Sequence, residues 1–365
     1  MGARVAVAGE LWSTNLGDPL IHTCLVDLLH QAGAGAVVPI DLEDRQGFPT
    51  EGSAAGGRRR LPPAVRAAAW WLLRRGGRSA AWQRQLEGCE ALLLGGGQLI
   101  DDMGMLFPPR LAALADVAHR LGMPVAIAGC GVGRRWTALG RRLLDRRLGR
   151  VLRSVLVRDE ASATSLAQTF PQWPSAATAP DPAVWAGRLF GLAAGSARGT
   201  IIGLGIARLD GLDDDESLTW WRQLVRRLAD SGRRCGMFTN GAPEDEALLR
   251  RLDGLTEAAP RPRSPAALVS TIAGYGCLAS PRLHAAITGF SLGIPALSLS
   301  LHGKVRGFWD MIGVPGRAIG VPSPVESAAA IIGLADGPGD PTGALDRARS
   351  QIVESVGRLL ATTLA

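Results

Sequence analysis

The sequence predicts an α/β protein of two domains, each carrying a parallel sheet. Three observations lead there. Short apolar runs of strand length alternate with longer helical stretches along 365 residues, a length that suits two ordinary domains. Several of those runs end in Gly-rich or charged loops, and in a parallel sheet such loops collect along one edge. Finally, the stretch from Ser280 to Lys304, SPRLHAAITGFSLGIPALSLSLHGK, reads as the end of a strand, a tight turn, a short helix, a Gly stop and a second strand. That order is a βαβ unit.

In chain order, residues 5–8 form a first strand. A loop over 10–18 follows and ends in Asn15-Leu16-Gly17-Asp18, and a helix runs to about residue 32, stopped by Gly33. A strand, Gly-rich loop and helix is the usual anion- or nucleotide-facing edge of an α/β domain, although no G-x-G-x-x-G or Walker spacing is present. Asp18 reads equally as a helix cap and as a loop carboxylate facing a ligand. A second strand at 36–40 leads into a polar loop over 41–57. Residues 58–88, RRRLPPAVRAAAWWLLRRGGRSAAWQRQLEG, begin a helix near Pro62-Pro63 and set Trp70, Trp71, Leu72 and Leu73 among Arg66, Arg74, Arg75 and Arg78. Such a segment suits an interfacial membrane contact; a packed helix with solvated arginines explains the pattern equally well.

A strand over 91–94 ends in GGGQLIDD, where Gly95, Gly96 and Gly97 permit close backbone approach to a ligand and Asp101 stands on the far side of the loop. A helix over 110–121 and a strand over 124–128 lead to Gly129, Gly131 and Gly133. An arginine-rich helix over 138–153 then precedes a strand over 155–157 that ends in Arg158-Asp159-Glu160, and a short helix starts at Ser162. Arg158 can pair with its acidic neighbours or grip a carboxylate or phosphate. Residues 169–182 are rich in Pro, Ala, Ser and Thr, and Gly and Ala dominate 186–199, which places the boundary there. The expected division is 1–190, 191–340 and a terminal helix over 341–365.

In the second domain strands are expected at 200–206, 234–239, 275–279, 296–301 and 318–321. Helices are expected at 217–231, 243–252, 265–273 with Ser264 as cap, 285–292, 305–311 and from Pro324. Asp213–Asp215 reads as a solvated loop. Within the βαβ unit, Arg282 and His284 fall at the turn, and His302 and Lys304 fall just past the next strand. Ligands of such units bind beyond the carboxyl ends of the strands, where helix N-termini offer N–H groups. A guanidinium, an ammonium and an imidazole together suit a small, multiply charged anion. Lys304 is the single lysine among 40 Lys and Arg residues, so an ammonium there points to a need for a compact point charge.

The net charge of +7 is spread along the chain and no RNA- or DNA-binding motif is present, so anionic substrates are favoured over nucleic acid. The five cysteines lack C-x-x-C spacing and the five histidines lack ligand spacing, which argues against a disulfide frame and a metal site and for a cytoplasmic setting. No N-terminal signal pattern and no apolar run of 18 residues is found.

With these residues assembled, the chain resembles the polysaccharide pyruvyl transferase family over about residues 5–320. The resemblance rests on N-x-G-D (Asn15, Gly17, Asp18), the three glycines with a later Asp101, and the loop with Gly131 and Gly133. It continues with V-R-D-x-x-S (Val157, Arg158, Asp159, Ser162), D-P-A (Asp181–Ala183), R-L-H (Arg282, Leu283, His284), and the small-residue helix with G-I-P, Lys304 and Phe308. It implies a GT-B-like fold of two Rossmann-like domains facing a cleft, the second being the donor side and the first the acceptor side. The implied chemistry is transfer of a pyruvyl group from phosphoenolpyruvate to a sugar, giving a cyclic ketal. No cofactor is implied beyond that co-substrate. The family's donor-binding positions map onto Arg158, Arg282 and His284. Arg134 stands where a proline is common, and residues 58–88 have no counterpart in the family pattern.

The residues themselves suit this chemistry. Phosphoenolpyruvate carries a carboxylate and a phosphate, which Arg158, Arg282 and Lys304 complement. His284 is the titratable group best suited to move protons, and Asp18 is a candidate to activate an acceptor hydroxyl. Asn15, Gly17, Gly96, Gly97, Asp101, Gly131 and Gly133 complete the expected loops. The expected partners are phosphoenolpyruvate and a sugar or lipid-linked saccharide, with membrane contact through residues 58–88 at the inner face. A nucleotide-sugar glycosyltransferase of the same fold and an inactive sugar- or anion-binding protein remain alternatives.

Overall fold

The computed structural model describes residues 2–43, 45, 47–48, 62–73, 75–192, 200–256, 259–337, 339 and 342–365. These fall into two compact units. Unit one comprises Met1–Trp12, Ile21–Pro182 and Gln351–Ala365; unit two comprises Ser13–Leu20 and Ala183–Ser350. The division is therefore not linear along the chain, because residues 13–20 group with the second unit and 351–365 with the first.

The chain opens with β1 (Arg4–Gly9), α1 (Gly17–Gln31), β2 (Ala36–Asp41), α2 (Pro63–Leu73), α3 (Arg75–Leu86), β3 (Ala91–Gly95) and α4 (Pro108–Arg120). It continues through β4 (Val125–Cys130), α5 (Ala138–Arg147), β5 (Leu152–Val157), α6 (Glu160–Thr169) and β6 (Ala176–Thr178). The strands of unit one pair in parallel in the order β2-β1-β3-β4-β5-β6. β3 and β4 are buried along their whole length. That burial is why they read as continuous apolar runs without alternation. β2 is half-exposed and carries Pro39, which an edge strand tolerates.

Unit two contains α7 (Ala186–Leu189), β7 (Ile202–Gly205), α8 (Asp214–Asp230), β8 (Cys235–Phe238), α9 (Pro243–Arg250), α10 (Pro265–Ala273), β9 (Cys277–Ser280), α11 (Leu283–Ser291) and β10 (Ala296–Leu299). α12 (Gly303–Met311), β11 (Ala318–Ile319) and α13 (Pro324–Asp336) follow, and α14 (Thr342–Leu364) closes the chain. Its strands order β11-β10-β9-β7-β8, again parallel where they pair. β9 sits between β10 and β7, so the turn carrying Arg282 and His284 leaves the middle of that edge.

Several expectations are corrected. The helix expected over 138–153 stops at Arg147: the Gly149 amide closes onto Leu144 O, and a Cβ at Gly149 would stand 2.5 Å from Asp145 O. β5 accordingly starts at Leu152. The Asp213–Asp215 run is not a loop. Asp213 caps α8, accepting from Glu216 N at 2.9 Å while the Glu216 carboxylate accepts from Asp213 N at 2.8 Å, a capping box. The tract over 169–182 contains β6, which its small residues did not announce. Lys304 lies within the first turn of α12, not before it.

For the tryptophan segment, the described indoles follow the packed-helix alternative. Residues 58–61 and 74 lie outside the described residues. The remainder forms two helices, α2 and α3, whose Trp70 and Trp82 join the core of unit one at 7% and 1% exposure. Trp71 is half-buried, and Arg78 is buried and donates to Glu43 O. The indoles therefore pack inward because the core offers apolar partners such as Leu86 and Leu114. Among the described residues, no helix is long and apolar enough to cross a membrane.

Candidate active site

In unit two the candidate residues cluster at the carboxyl ends of β7, β9 and β10. After β9, Ser280 is fully buried and its hydroxyl accepts from Arg282 N at 3.1 Å, which fixes the turn. Arg282 caps α11 without a side-chain cap bond; its guanidinium instead forks onto Asp245 of α9. Nε donates to Asp245 Oδ2 at 2.7 Å and Nη2 to Oδ1 at 2.6 Å, with Glu244 Oε1 at 3.3 Å from Nη2. Burial pushes the fully buried Asp245 carboxyl up, and the Arg282 guanidinium pulls it the other way. This fork geometry is the strongest form of ion pair.

His284 stands in the first turn of α11. The Asn15-Leu16-Gly17-Asp18 segment, from the other end of the chain, packs onto it: a Cβ at Gly17 would collide with His284 Nδ1 and stand 2.7 Å from both its Cβ and Cγ. Glycine is required there by close approach. Leu16 N donates to Asn240 O at 2.8 Å, which ties the segment to the end of β8. Asp18 lies inside the first turn of α1, so it is not the cap. Its Oδ2 accepts from Asn15 Nδ2 at 3.0 Å and Ser13 Oγ at 3.4 Å. Asn15, Gly17, Asp18 and His284 thus belong to one local assembly.

Past β10, Ser300 Oγ donates to Asp210 Oδ2 at 2.6 Å, and His302 Nε2 stands 3.3 Å from Asp210 Oδ1. Lys304 is exposed at the start of α12. Arg282, His284, His302 and Lys304 therefore share the strand-end edge of unit two, with Asp210 and Asp245 as their acidic counterparts.

Unit one holds the other candidates. Arg158, 4% exposed, directly follows β5. Its Nη1 lies 3.5 Å from Asp181 Oδ2 and its Nε 3.7 Å from Asp159 Oδ2, and Nε has no hydrogen-bond partner among the described residues. Asp159 also caps α6, accepting from Ser162 N at 2.6 Å, and Ser162 Oγ accepts from Val132 N at 3.1 Å. The V-R-D-x-x-S string therefore braces the Gly131–Gly133 loop. A Cβ at Gly131 would meet Arg158 Nη2 at 2.6 Å, and one at Gly133 would meet Asp101 Oδ2 at 2.7 Å. Gly96 and Gly97 take φ values of 82° and 63°, the left-handed region open to glycine.

The Asp101 loop is strained. Met103 and Met105 have φ of 37° and 65°, and two carboxylates hold them there. Asp101 Oδ1 accepts from Met103 N at 3.0 Å, and buried Asp102 accepts from Met105 N at 2.7 Å and Thr137 N at 2.5 Å. Asp102, Asp210 and Asp245 carry no signal in the sequence that marks them as site residues. The run Pro243–Glu246 has the ordinary acidic signature of a helix start, and nothing local names Arg282 as its partner. Burial pushes the Cys130 and Cys277 thiols up to about 12. Among the described residues no group of three or more His, Cys, Asp or Glu side chains could hold a metal.

Two parallel sheets with flanking helices, each with its polar groups at strand ends, define the class as GT-B-like α/β. Solved structures agree: Arabidopsis thaliana UGT89C1 complexed with UDP-L-rhamnose aligns with TM-score 0.60 and 11% identity over 100% of both chains. UDP-GlcNAc 2-epimerase from Methanocaldococcus jannaschii gives 0.60 and 10% over 99% of both, and Anabaena Alr3699/HepE with UDP and glucose gives 0.53 and 12% over 99% of both. Comparison with curated proteins gives no match. The family model for polysaccharide pyruvyl transferase matches residues 15–303, and the chain belongs to that family.

Proposed function

We propose that this transferase moves a pyruvyl group from phosphoenolpyruvate to two hydroxyls of a sugar in a polysaccharide or glycolipid precursor. A proton adds to the donor's methylene carbon, and the neighbouring carbon becomes the electrophile. One sugar hydroxyl bonds to that carbon and gives up its proton, the C–O bond to phosphate breaks, and a second hydroxyl closes the ketal and gives up its own proton. One proton is thus consumed at the methylene and the other leaves with phosphate. His284 is the acid/base in this reading, and Asp18 activates an acceptor hydroxyl.

The observation that carries the reading is the packing of the N-x-G-D segment onto His284, since it joins two family motifs from opposite ends of the chain around the one imidazole the chemistry needs. Lys304 and Arg282 are the donor's cations on unit two. Arg282 commits Nε and Nη2 to carboxylates, so Nη1 is the nitrogen given to the donor. Arg158 is assigned to the donor because its two carboxylates stand too far for good hydrogen bonds. Gly96, Gly97, Asp101, Gly131 and Gly133 shape the neighbouring loops of unit one.

The test is phosphate release from phosphoenolpyruvate against a panel of glycosides and lipid-linked sugars, with wild type and His284→Gln. Acceptor-dependent release that falls by about 10²–10⁴-fold in the variant is expected for an acid/base. Release that survives removes His284 from that role. Absent phosphoenolpyruvate binding, with tight nucleotide-sugar binding, overturns the donor and favours a glycosyltransferase.

A further inference from the structure

The end of α2 presents an apolar tip that is exposed among the described residues. Leu72 and Leu73 are adjacent and 80% and 82% exposed, and Val65, seven residues before Leu72 and so on the same side of the helix, is 49% exposed. The tryptophans of the same segment are spent on the core, so these aliphatic side chains are what the segment offers to a partner.

Beside that tip lies an excess of cations. Arg75, two residues past Leu73, stacks 4.1 Å over the Trp71 ring and reaches Asp116 Oδ2 at 3.2 Å. The same carboxylate accepts from Arg147 Nη1 at 3.0 Å and from Arg150 Nη2 at 2.6 Å. One buried carboxylate thus gathers three guanidinia, from α3, from the end of α5 and from the turn after it. It neutralises one of the three charges. Along α5, Arg141, Arg142 and Arg146 are exposed with Asp145 as the exposed acid of that helix. The guanidinia at Asp116 are only partly covered, with 35–39% of each side chain exposed, so each keeps N–H groups for further acceptors.

We propose that this face of unit one seats on an anionic lipid bilayer, Leu72 and Leu73 entering the acyl boundary and the arginines around Asp116 meeting lipid phosphates. Apolar residues that protrude beside clustered positive charge match the two components of an anionic interface, and Arg is suited to phosphate because its planar fork donates in pairs. A partner protein with an acidic apolar groove would meet the same chemistry less economically, since it must match the fixed spacing of the tip and the arginines; a fluid surface does not. The proposal is independent of the donor used in catalysis, so its failure and the failure of the transferase reading are read in different assays.

The test is flotation of the full chain with vesicles of phosphatidylglycerol and phosphatidylcholine, against vesicles of phosphatidylcholine alone, with sedimentation velocity in parallel. Wild type is expected to float with the anionic vesicles, to be released by high salt, and to remain in solution with the neutral ones. The double variant Leu72→Ser with Leu73→Ser should lower the bound fraction at least about fivefold. Arg146→Gln with Arg150→Gln should lower it by a similar or greater factor, leaving Arg75 and Arg147 on Asp116. Both double variants change exposed or half-exposed side chains, and an unchanged melting curve checks that each is folded. No flotation of wild type, equal flotation with neutral vesicles, or undiminished binding by the leucine variant overturns the proposal. So does a wild-type dimer that the leucine variant converts to monomer, since the face would then be an interface between copies.

Discussion

Arg158 and Arg282 both follow the end of a strand, yet the two units hold them in opposite ways. In unit one Arg158 is buried, and its two carboxylate partners, Asp181 and Asp159, stand at 3.5 and 3.7 Å. In unit two Arg282 is more open, with 35% of its side chain exposed, and Asp245 grips it at 2.6 and 2.7 Å. The histidines follow the same division. His22 in unit one is 6% exposed, and neither ring nitrogen finds a hydrogen-bond partner among the described residues, so burial lowers it to about 4. His302 in unit two is exposed beside Asp210. Of these pairs, unit one holds Arg158 and His22 in its interior, and unit two leaves Arg282 and His302 partly open to solvent beside their carboxylates.

This contrast predicts where substitutions act on stability and where on activity. The largest effect is expected at Arg158. Arg158→Ala removes the guanidinium beside the buried carboxylates of Asp181 and Asp159 and should cost about 3–5 kcal/mol, seen as a lower urea midpoint. A loss below about 1 kcal/mol would mean the two acids do not depend on Arg158, and the contrast between the units would collapse.

His22 comes next. Its folded-state value of about 4 lies below the ordinary 6.5, so between those values the unfolded chain holds a proton that the folded chain does not. Its contribution is therefore full above pH 6.5 and is lost as pH falls through 4, by about 3 kcal/mol in all. His22→Leu should flatten that part of the stability profile; an unchanged slope would mean that other groups produce it.

Gly17→Ala is expected to cost about 1–3 kcal/mol, because the added methyl drives into the His284 ring. In the proposed reaction it should also lower kcat more than it raises KM for phosphoenolpyruvate, since it displaces the imidazole and leaves Arg282 alone. Equal loss in Gly17→Ala and in a Gly17→Ala, His284→Gln double variant would tie the effect to that ring. The smallest effect is expected at Asp213, whose capping box is exposed: Asp213→Ala should cost about 1 kcal/mol and leave activity intact.

The elements that were legible in the sequence are those whose signals are local. Ser264 accepts from Ala267 N as its position before Pro265 foretold, and the five principal strands of unit one follow from apolar runs stopped by Gly or charged residues. The strand β6 was missed because its three small residues gain their strand form from β5 alone. Trp70 and Trp71 left two readings open, because a tryptophan beside arginines has the same local pattern whether the indole meets lipid or a core.

By itself, then, the chain's order of apolar runs, Gly stops and strand-end charges determined two parallel α/β sheets and the identity of most candidate residues. Only the tertiary structure decided that the Asn15–Asp18 segment belongs with His284, that Asp245 holds Arg282, and that one carboxylate, Asp116, gathers arginines from three places. Backbone propensity acts over a few residues and so is written locally. A contact between residues hundreds of positions apart depends on strand order and on which side chains fill the space between, and no single stretch of sequence carries that.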